Sequence, residues 1–260
     1  VLTVVSWNVN SVKARLDHVL QYCARHTPDI LALQETKTVD AGFPRDAFAE
    51  LGYEMSLAGQ PSYNGVAVLS REAPREVVTD LPGFEDPQRR VLGAAFGDFF
   101  LLNLYVPNGS AVGTDKYAYK LAWLDALIAW VPRLLEAHPR LLVVGDFNIA
   151  PEDRDVHDPA AWRDQVLCSE PERARLGSLQ SLGLRDAFRD FEQAPGLYSW
   201  WDYRAGAFRR NHGLRIDLAL LSPALAPDCR GVSIDREPRT WEKPSDHAPV
   251  VVALELPAKA

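Results

Sequence analysis

Residues 141–151 read Leu-Leu-Val-Val-Gly-Asp-Phe-Asn-Ile-Ala-Pro, an aliphatic run that ends on a glycine, an acid and a carboxamide. A strand with one solvated face alternates apolar and polar residues. A strand with no polar position has to be covered on both faces, which points to a layered α/β fold. Gly145 lets the chain turn and Pro151 discourages the strand from continuing. Asp146 and Asn148 then stand at the carboxyl end of a buried strand, where α/β sheets tend to place ligands.

Further strand-like runs fall at 2–7, 29–34, 65–69, 91–96, 99–105, 198–203, 215–221 and 248–256. Between them, residues 12–25 carry Val12, Leu16, Val19 and Leu20 at helical spacing. Residues 115–137 form the longest helical run, with Leu121, Leu124, Leu127, Ile128 and Val131, and Pro132 is expected to kink or divide it. Ser169-Glu170-Pro171-Glu172 is a capping-box pattern opening a helix through about residue 182, and Gly183 ends it. Strands alternate with helices early on, while 91–105 holds a strand pair, so a mixed-sheet α/β sandwich fits better than a purely parallel sheet. A weak echo links the halves: one strand runs into Ser6-Trp7-Asn8, another into Gly145-Asp146-Phe147-Asn148. No Gly/Ser linker or composition break interrupts the chain, and one domain over 1–260 is expected.

With 260 residues, 47% hydrophobic, the chain can bury a large core. A net charge of -7 excludes a strongly basic nucleic-acid-binding module as a global description, but not a local basic patch. Three cysteines without metal-like spacing argue for a reducing compartment. No apolar stretch approaches the roughly 18 residues that span a bilayer. The first residues do not read as a signal peptide. The sequence opens on Val1 rather than Met, as removal of something short would leave it. A cytoplasmic protein without a membrane partner, and a monomer, is the expectation.

Acids and amides recur where the strand-like runs end. Asn8 and Asn10 follow the first, Gln34 and Glu35 the second, Tyr105 and Asn108 the run at 101–104. Asp217 interrupts 214–220, and Asp246-His247 precedes 248–252. On one shared rim these ends would gather Glu35, Asp146, Asp217 and Asp246 with one imidazole, one phenol and several carboxamides. Such an oxygen-rich set suits Mg²⁺ or Mn²⁺. It does not suit structural zinc, since one histidine and no cysteine belong to it. The chemistry it favours is hydrolysis of phosphate esters, which needs positioning and charge neutralisation above all. A divalent ion neutralises the phosphate and the leaving oxygen. A carboxylate that deprotonates water contributes roughly 10²–10⁴-fold, and an imidazole held by another carboxylate can stabilise the phosphate's charge. Singly, each residue has a plainer reading. Asp217 could be a structural acid, costly in an apolar strand unless paired, and pairing with His247 is favoured. Glu35 could be a solvated strand end, Asn8 and Asn108 turn residues, and Tyr105 a packed ring. The conjunction carries the expectation.

Six strings carry a family likeness: Ser-Trp-Asn-Val-Asn (6–10), Leu-Gln-Glu-Thr-Lys (33–37), Leu-Tyr-Val-Pro-Asn-Gly (104–109), Gly-Asp-Phe-Asn-Ile-Ala-Pro (145–151), Gly-Leu-Arg-Ile-Asp (213–217) and Pro-Ser-Asp-His-Ala-Pro-Val (244–250). In this order they resemble the exonuclease III family of the endonuclease/exonuclease/phosphatase superfamily, over almost the whole chain. The resemblance implies a four-layer α/β sandwich of two packed mixed β-sheets flanked by helices, and a Mg²⁺-dependent DNA repair nuclease. By that resemblance Glu35 is the principal metal ligand, with Asn8, Asp146 and Asn148 around the same ion. Asp146 activates the attacking water, Asn8 orients it and Asn148 helps bind the phosphate. Tyr105 is the phenol near the scissile phosphate, and Asp217 and His247 form a carboxylate–imidazole pair. Asp246 touches a metal directly or through water. Asn10 departs from a position often acidic in relatives, which puts a direct metal role for it in doubt.

Basic residues cluster at Lys13 and Arg15, Arg89 and Arg90, Lys116 and Lys120, and Arg204, Arg209, Arg210 and Arg215. Singly, each reads more simply as a solvated surface charge, and phosphate contact is favoured for the 204–215 loop because it adjoins Asp217; as a set Lys13, Lys116, Arg204, Arg209 and Arg215, with Asn108, are the expected DNA contacts. The resemblance places Trp200 and Leu214 where an apolar pocket receives a deoxyribose lacking its base. The expected partner is double-stranded DNA with abasic sites, nicks or blocked 3′ ends. His157 falls in a loop where relatives that cut abasic sites often carry a small residue. Its ring would hinder an intact kinked strand and shift activity toward 3′ termini, or it is simply an exposed loop histidine. The competing expectations are a phosphodiesterase on a non-DNA substrate and a catalytically silent DNA-binding protein. The second is disfavoured because Glu35, Asp146, Asn148, Asp217 and His247 are all retained.

Overall fold

The apolar run at 141–146 is covered on both faces. Leu142 and Val144 point into a core shared with a second sheet, while Leu141 and Val143 pack under Trp123, Leu124, Leu127 and Val131 of a long helix. The period-two alternation of a strand therefore meets apolar neighbours on each side. The computed structural model describes residues 1–257. Its strands are β1 (Leu2–Asn8), β2 (Ile30–Gln34), β3 (Glu54–Ala58), β4 (Val66–Ser70), β5 (Val77–Val78), β6 (Val91–Phe96), β7 (Phe99–Tyr105), β8 (Leu141–Asp146), β9 (Arg185–Asp186), β10 (Trp200–Trp201), β11 (Gly213–Leu214), β12 (Asp217–Leu221), β13 (Cys229–Ile234) and β14 (Val250–Leu254). The α-helices are α1 (Leu16–His26), α2 (Arg45–Ala49), α3 (Asp115–Ala137), α4 (Pro159–Trp162), α5 (Glu170–Ser181), α6 (Phe188–Phe191) and α7 (Ala207–Arg210).

Two mixed six-stranded sheets result, ordered β13-β14-β1-β2-β4-β3 and β5-β6-β7-β8-β12-β9, with β10-β11 as a separate ribbon. Each sheet has one parallel pair at its centre, β1 with β2 and β7 with β8, bridged by α1 and α3. Each flanks that pair with antiparallel neighbours: β14 and β4 in the first sheet, β12 and β6 in the second. The topology does repeat between the halves, but in it β1 corresponds to β7 and β2 to β8, so the weak echo between 6–8 and 145–148 does not mark counterpart strands. α1 and α2 cover the first sheet through Val19, Tyr22, Cys23 and Phe48, and α3 and α5 cover the second. The result is helices, sheet, sheet, helices, which is the four-layer sandwich expected.

Local signals explain most element ends. Thr114 caps α3 by accepting from the Tyr117 amide at 3.2 Å. Ser169 and Glu172 form the expected capping box of α5, and Gly183 follows its end at φ 101°. Pro132 does not divide α3, because Leu127, Trp130, Val131 and Leu134 keep its inner face packed on the second sheet. The helix expected from residue 12 begins at Leu16, after a turn in which Asn10 and Ser11 take positive φ. The run at 198–203 shortens to β10, and 215–221 to β12. β3, β5, β9 and β13 escape the pattern because they are sheet edges or two-residue pairings without a continuous apolar signature.

Candidate active site

Strand direction brings the expected residues to one rim. β1, β2, β7 and β8 end there, and β12 and β14, antiparallel to them, begin there. Asp146 lies in register with Tyr105 on one side and Asp217 on the other. Gly145 permits the approach: at its φ of 144°, a Cβ would sit 1.9 Å from the Leu104 carbonyl oxygen. The two sheets are tied just beneath the rim. Gln34 Nε2 donates to Asn103 Oδ1 at 2.8 Å, and Asn103 Nδ2 donates to the Leu33 and Ala67 carbonyls, each at 3.0 Å. This amide pair, buried in an otherwise apolar layer, sets Glu35 of one sheet against Asp146 of the other.

Asp146 is buried and doubly held. Asn8 Nδ2 donates to its Oδ2 at 2.9 Å and the Asn148 amide donates to its Oδ1 at 3.0 Å. The same Asn8 nitrogen reaches Glu35 Oε1 at 2.9 Å, while Asn8 Oδ1 accepts the Asn10 amide. Asn8 is therefore a bridge between the two carboxylates. Burial, with the Asp217 and Glu35 charges, outweighs His247 and the Asn8 hydrogen bond and raises the Asp146 carboxyl to about 7. His247 Nδ1 meets both Asp217 oxygens, at 3.1 and 2.9 Å, and Nε2 lies 3.6 Å from Asp146 Oδ2. Burial pulls its imidazole down, yet the Asp217 and Asp146 carboxylates win and raise it to about 10. Both carboxylates thus favour the protonated imidazole, whose Nε2 faces Asp146. Burial and the Glu35 and Asp146 charges hold the Tyr105 phenol well above its ordinary range, so it keeps its proton and hydrogen-bonds to Glu35.

Glu35, Asp146 and His247 have potential ligand atoms within 4.8 Å of one another. His247 is engaged through Nδ1 with Asp217, and Glu35 and Asp146 supply the oxygen donors of this group. That set fits a hard divalent cation and does not fit zinc. Glu35 takes a φ of 51°, a rare conformation for a long side chain, so its direction is imposed by the fold.

Other expected residues divide clearly. Asn108 Nδ2 donates to Asn148 Oδ1 at 3.2 Å, and Asn148 Nδ2 to the Val106 carbonyl at 2.9 Å, which makes a carboxamide pair at the rim. Asp246 stands outside the metal group, where it accepts from Asn10 Nδ2 at 3.2 Å and Trp200 Nε1 at 3.0 Å. Lys13, Lys116, Arg204 and Arg209 are exposed, and Arg204 pairs with Asp202 at 2.8 Å. Trp200 is half-buried, whereas Leu214, its register partner, is fully buried and supports it from below. His157 is half-buried. Its Nδ1 lies 3.2 Å from the Gly213 carbonyl, its ring stacks on His212 at 4.8 Å, and Trp162 meets it edge-on.

One expected DNA contact is not where the sequence puts it. Arg215, expected on DNA, is 1% exposed. Its guanidinium grips Asp155, with Nε at 2.7 Å, and Asp186, with Nη2 at 2.6 Å. A planar fork between two carboxylates is satisfied inside the protein and offers no donor to a phosphate. Lys120 is likewise buried, paired with Glu172. Conversely, the structure adds residues that the strings alone do not assign. Lys37 Nζ lies 3.2 Å from Glu35 Oε2 and donates to Asn10 Oδ1 at 2.6 Å. Ser199 Oγ accepts the Ile216 and Asp217 amides, each at 3.0 Å. Asn103 had one available signal, a lone amide in an apolar strand.

The Endonuclease/Exonuclease/phosphatase family model matches residues 5–247. An exodeoxyribonuclease III from Haemophilus influenzae is 34% identical over 259 residues, 95% of this chain and 97% of that protein. A 3′ phosphatase from Neisseria, solved bound to a product DNA hairpin, superposes with a TM-score of 0.97 at 41% identity, over 98% of this chain and 100% of that one. An AP endonuclease from Archaeoglobus fulgidus superposes with a TM-score of 0.93 at 34% identity, over the same shares. The rim of Asn8, Glu35, Asp146, Asp217 and His247 is thus carried on a shared fold, and the chain belongs to the endonuclease/exonuclease/phosphatase family, in its exonuclease III branch.

Proposed function

We propose that this chain is a metal-dependent DNA repair nuclease that hydrolyses phosphate esters at abasic sites and at 3′ ends of duplex DNA. The observation that carries this reading is Asp146: a buried carboxylate fixed by Asn8 and the Asn148 amide, beside Glu35 and an imidazolium. The names of its relatives, an exodeoxyribonuclease III, a DNA-bound 3′ phosphatase and an AP endonuclease, support DNA as substrate. Glu35 and Asp146 would hold the ion, Mg²⁺ with Mn²⁺ as a substitute, which when bound neutralises phosphate charge and the leaving oxygen.

Asp146 accepts the proton of the attacking water as the general base. Asn8 keeps it aimed. Water oxygen bonds to phosphorus as the ester P–O bond on the opposite side breaks. His247, held in one tautomer by Asp217, donates Nε2–H to a phosphate oxygen as charge accumulates. Asn148 and Asn108 hold the phosphate, and Tyr105 supplies a neutral hydroxyl beside it. Lys13, Lys116, Arg204 and Arg209, all exposed, would meet backbone phosphates, and such a local set reconciles DNA with an acidic chain. The chain acts as a monomer. No helix among the described residues is long and apolar enough to cross a membrane.

Cleavage of nicked, 3′-phosphate and abasic duplexes in one buffer tests the reading. Activity vanishes in EDTA and returns with Mg²⁺. Full activity in EDTA, or none on any of the three substrates with Mg²⁺, would sink it.

His157 bears on substrate choice. Its ring is pinned by His212 and the Gly213 carbonyl beside Trp162, which itself meets Trp200 edge-on. A fixed ring there narrows the passage for an internal kinked strand and leaves a 3′ terminus free. His157→Gly is expected to raise incision at an internal abasic site at least roughly tenfold while 3′-phosphate removal stays near the parent rate. Strong abasic incision by the parent, unchanged in the variant, refutes the obstruction.

A further inference from the structure

Lys120 is a cation with no access to solvent. It projects from α3 with its side chain 0% exposed, and its partner Glu172 is equally buried. Nζ donates to the Asn148 carbonyl at 2.6 Å and to the Asn108 carbonyl at 3.2 Å, besides its ion pair. Glu172 accepts from the Leu167 amide at 3.0 Å, the Ser169 amide at 3.1 Å and the Ser169 hydroxyl. Three loops therefore converge on one ion pair: the one after β7, the one after β8 and the one before α5.

Capping α5 accounts for Glu172, but stability alone does not call for a buried ammonium beside it. A buried ion pair is rarely better than well-packed apolar residues of the same volume, and neighbouring inward positions of α3 are Trp123, Leu124 and Leu127. What the ammonium does is fix two carbonyls whose own residues meet at the rim, where Asn108 Nδ2 donates to Asn148 Oδ1. Asn148 holds a φ of 48°, and its amide donates to Asp146 Oδ1. A shift of its carbonyl therefore moves its carboxamide and the N–H that orients Asp146 together.

We propose that Lys120, anchored by Glu172, is a positioning residue of this site: it sets the backbone of Asn108 and Asn148 and, through Asn148, the phosphate grip and the aim of Asp146. This rests on the nuclease reading above.

The test uses the full chain and the double variant Lys120→Met/Glu172→Leu, which removes both charges and leaves neither unpaired. Its melting temperature falls, because the Leu167 and Ser169 amides and the two carbonyls lose a partner, while kcat on a 3′-phosphate duplex, read well below the transition, falls about 10–100-fold with KM little changed. Hydrogen exchange at the Asn148 amide, measured without metal, speeds up because its hold on Asp146 loosens. In an Asn148→Ala background the double variant costs less than it does in the parent, since part of its effect acts through that carboxamide. Parental kcat in the double variant, unchanged exchange at Asn148, or losses that multiply with Asn148→Ala would each overturn the positioning role. If the double variant does not fold, Glu172→Gln is read in the same cycle with Asn148→Ala, and multiplying losses there overturn it equally. A parent chain inactive on every DNA substrate with Mg²⁺ would instead bring down the nuclease reading, and this inference with it.

Discussion

Asp146→Asn is expected to lower kcat by about 10²–10⁴-fold while duplex binding is retained. The substitution keeps the shape of the side chain and removes its basicity. An amide oxygen can still accept from Asn8, which donates to Asp146 Oδ2 at 2.9 Å in the parent. The amide nitrogen then faces the Asn148 N–H, a donor against a donor, so a loss of about 1–3 kcal/mol in stability accompanies the change. Binding does not suffer on electrostatic grounds, because the variant takes a negative charge away from beside the phosphate. Single-turnover cleavage, with fluorescence anisotropy on the same duplex in EDTA, separates the two effects. Near-parental turnover would remove Asp146 from its role as base.

Asp217→Asn is expected to cost about 10²-fold in kcat at neutral pH and to reshape the pH profile. In the parent, burial opposes the charge on His247, and Asp217, first among the raising influences, overcomes it and brings the group to about 10. Without that carboxylate, burial is opposed mainly by Asp146, and the imidazole loses its proton at lower pH. The parent thus keeps an imidazolium across the neutral range. The variant loses activity as pH rises through the lowered value, so its descending limb moves toward acid. A protonated histidine more basic in the folded than in the unfolded chain also stabilises the fold. That stabilisation is complete below the ordinary 6.5 and fades as pH rises through about 10. In Asp217→Asn the fade begins earlier. NMR titration of the His247 ring together with kcat against pH checks both, and an unshifted descending limb would detach Asp217 from His247.

Local patterns carried much of the architecture and most of the rim. The apolar run at 141–144, the capping box at Ser169 and Glu172 and the glycine after α5 each act through neighbours a few residues away, so they can be read along the chain. Asn8, Glu35, Asp146, Asp217 and His247 were legible as polar groups stranded at the ends of apolar runs. What failed was the sorting of charges into inside and outside. Arg215 and Lys120 look like any basic residues beside a DNA-facing loop. Their burial depends on Asp155, Asp186 and Glu172, 29 to 60 residues away in sequence. The edge strands β3 and β13 were missed for a related reason: their pairing is supplied by β4 and β14, not by their own side chains.

The sequence by itself determined that a buried strand must deliver Asp146 to a sheet end and that acids and amides accumulate at several such ends. These follow from side-chain periodicity and the need to bury apolar surface. Only the tertiary structure decided that β1 and β8, in two facing sheets, bring Asn8 and Asp146 within 2.9 Å. It alone decided that His247 lies between Asp217 and Asp146 and that Lys120 is buried beneath the rim. Those outcomes depend on distances between groups far apart in the chain, and charge and proton affinity in a buried site are set by distance and desolvation.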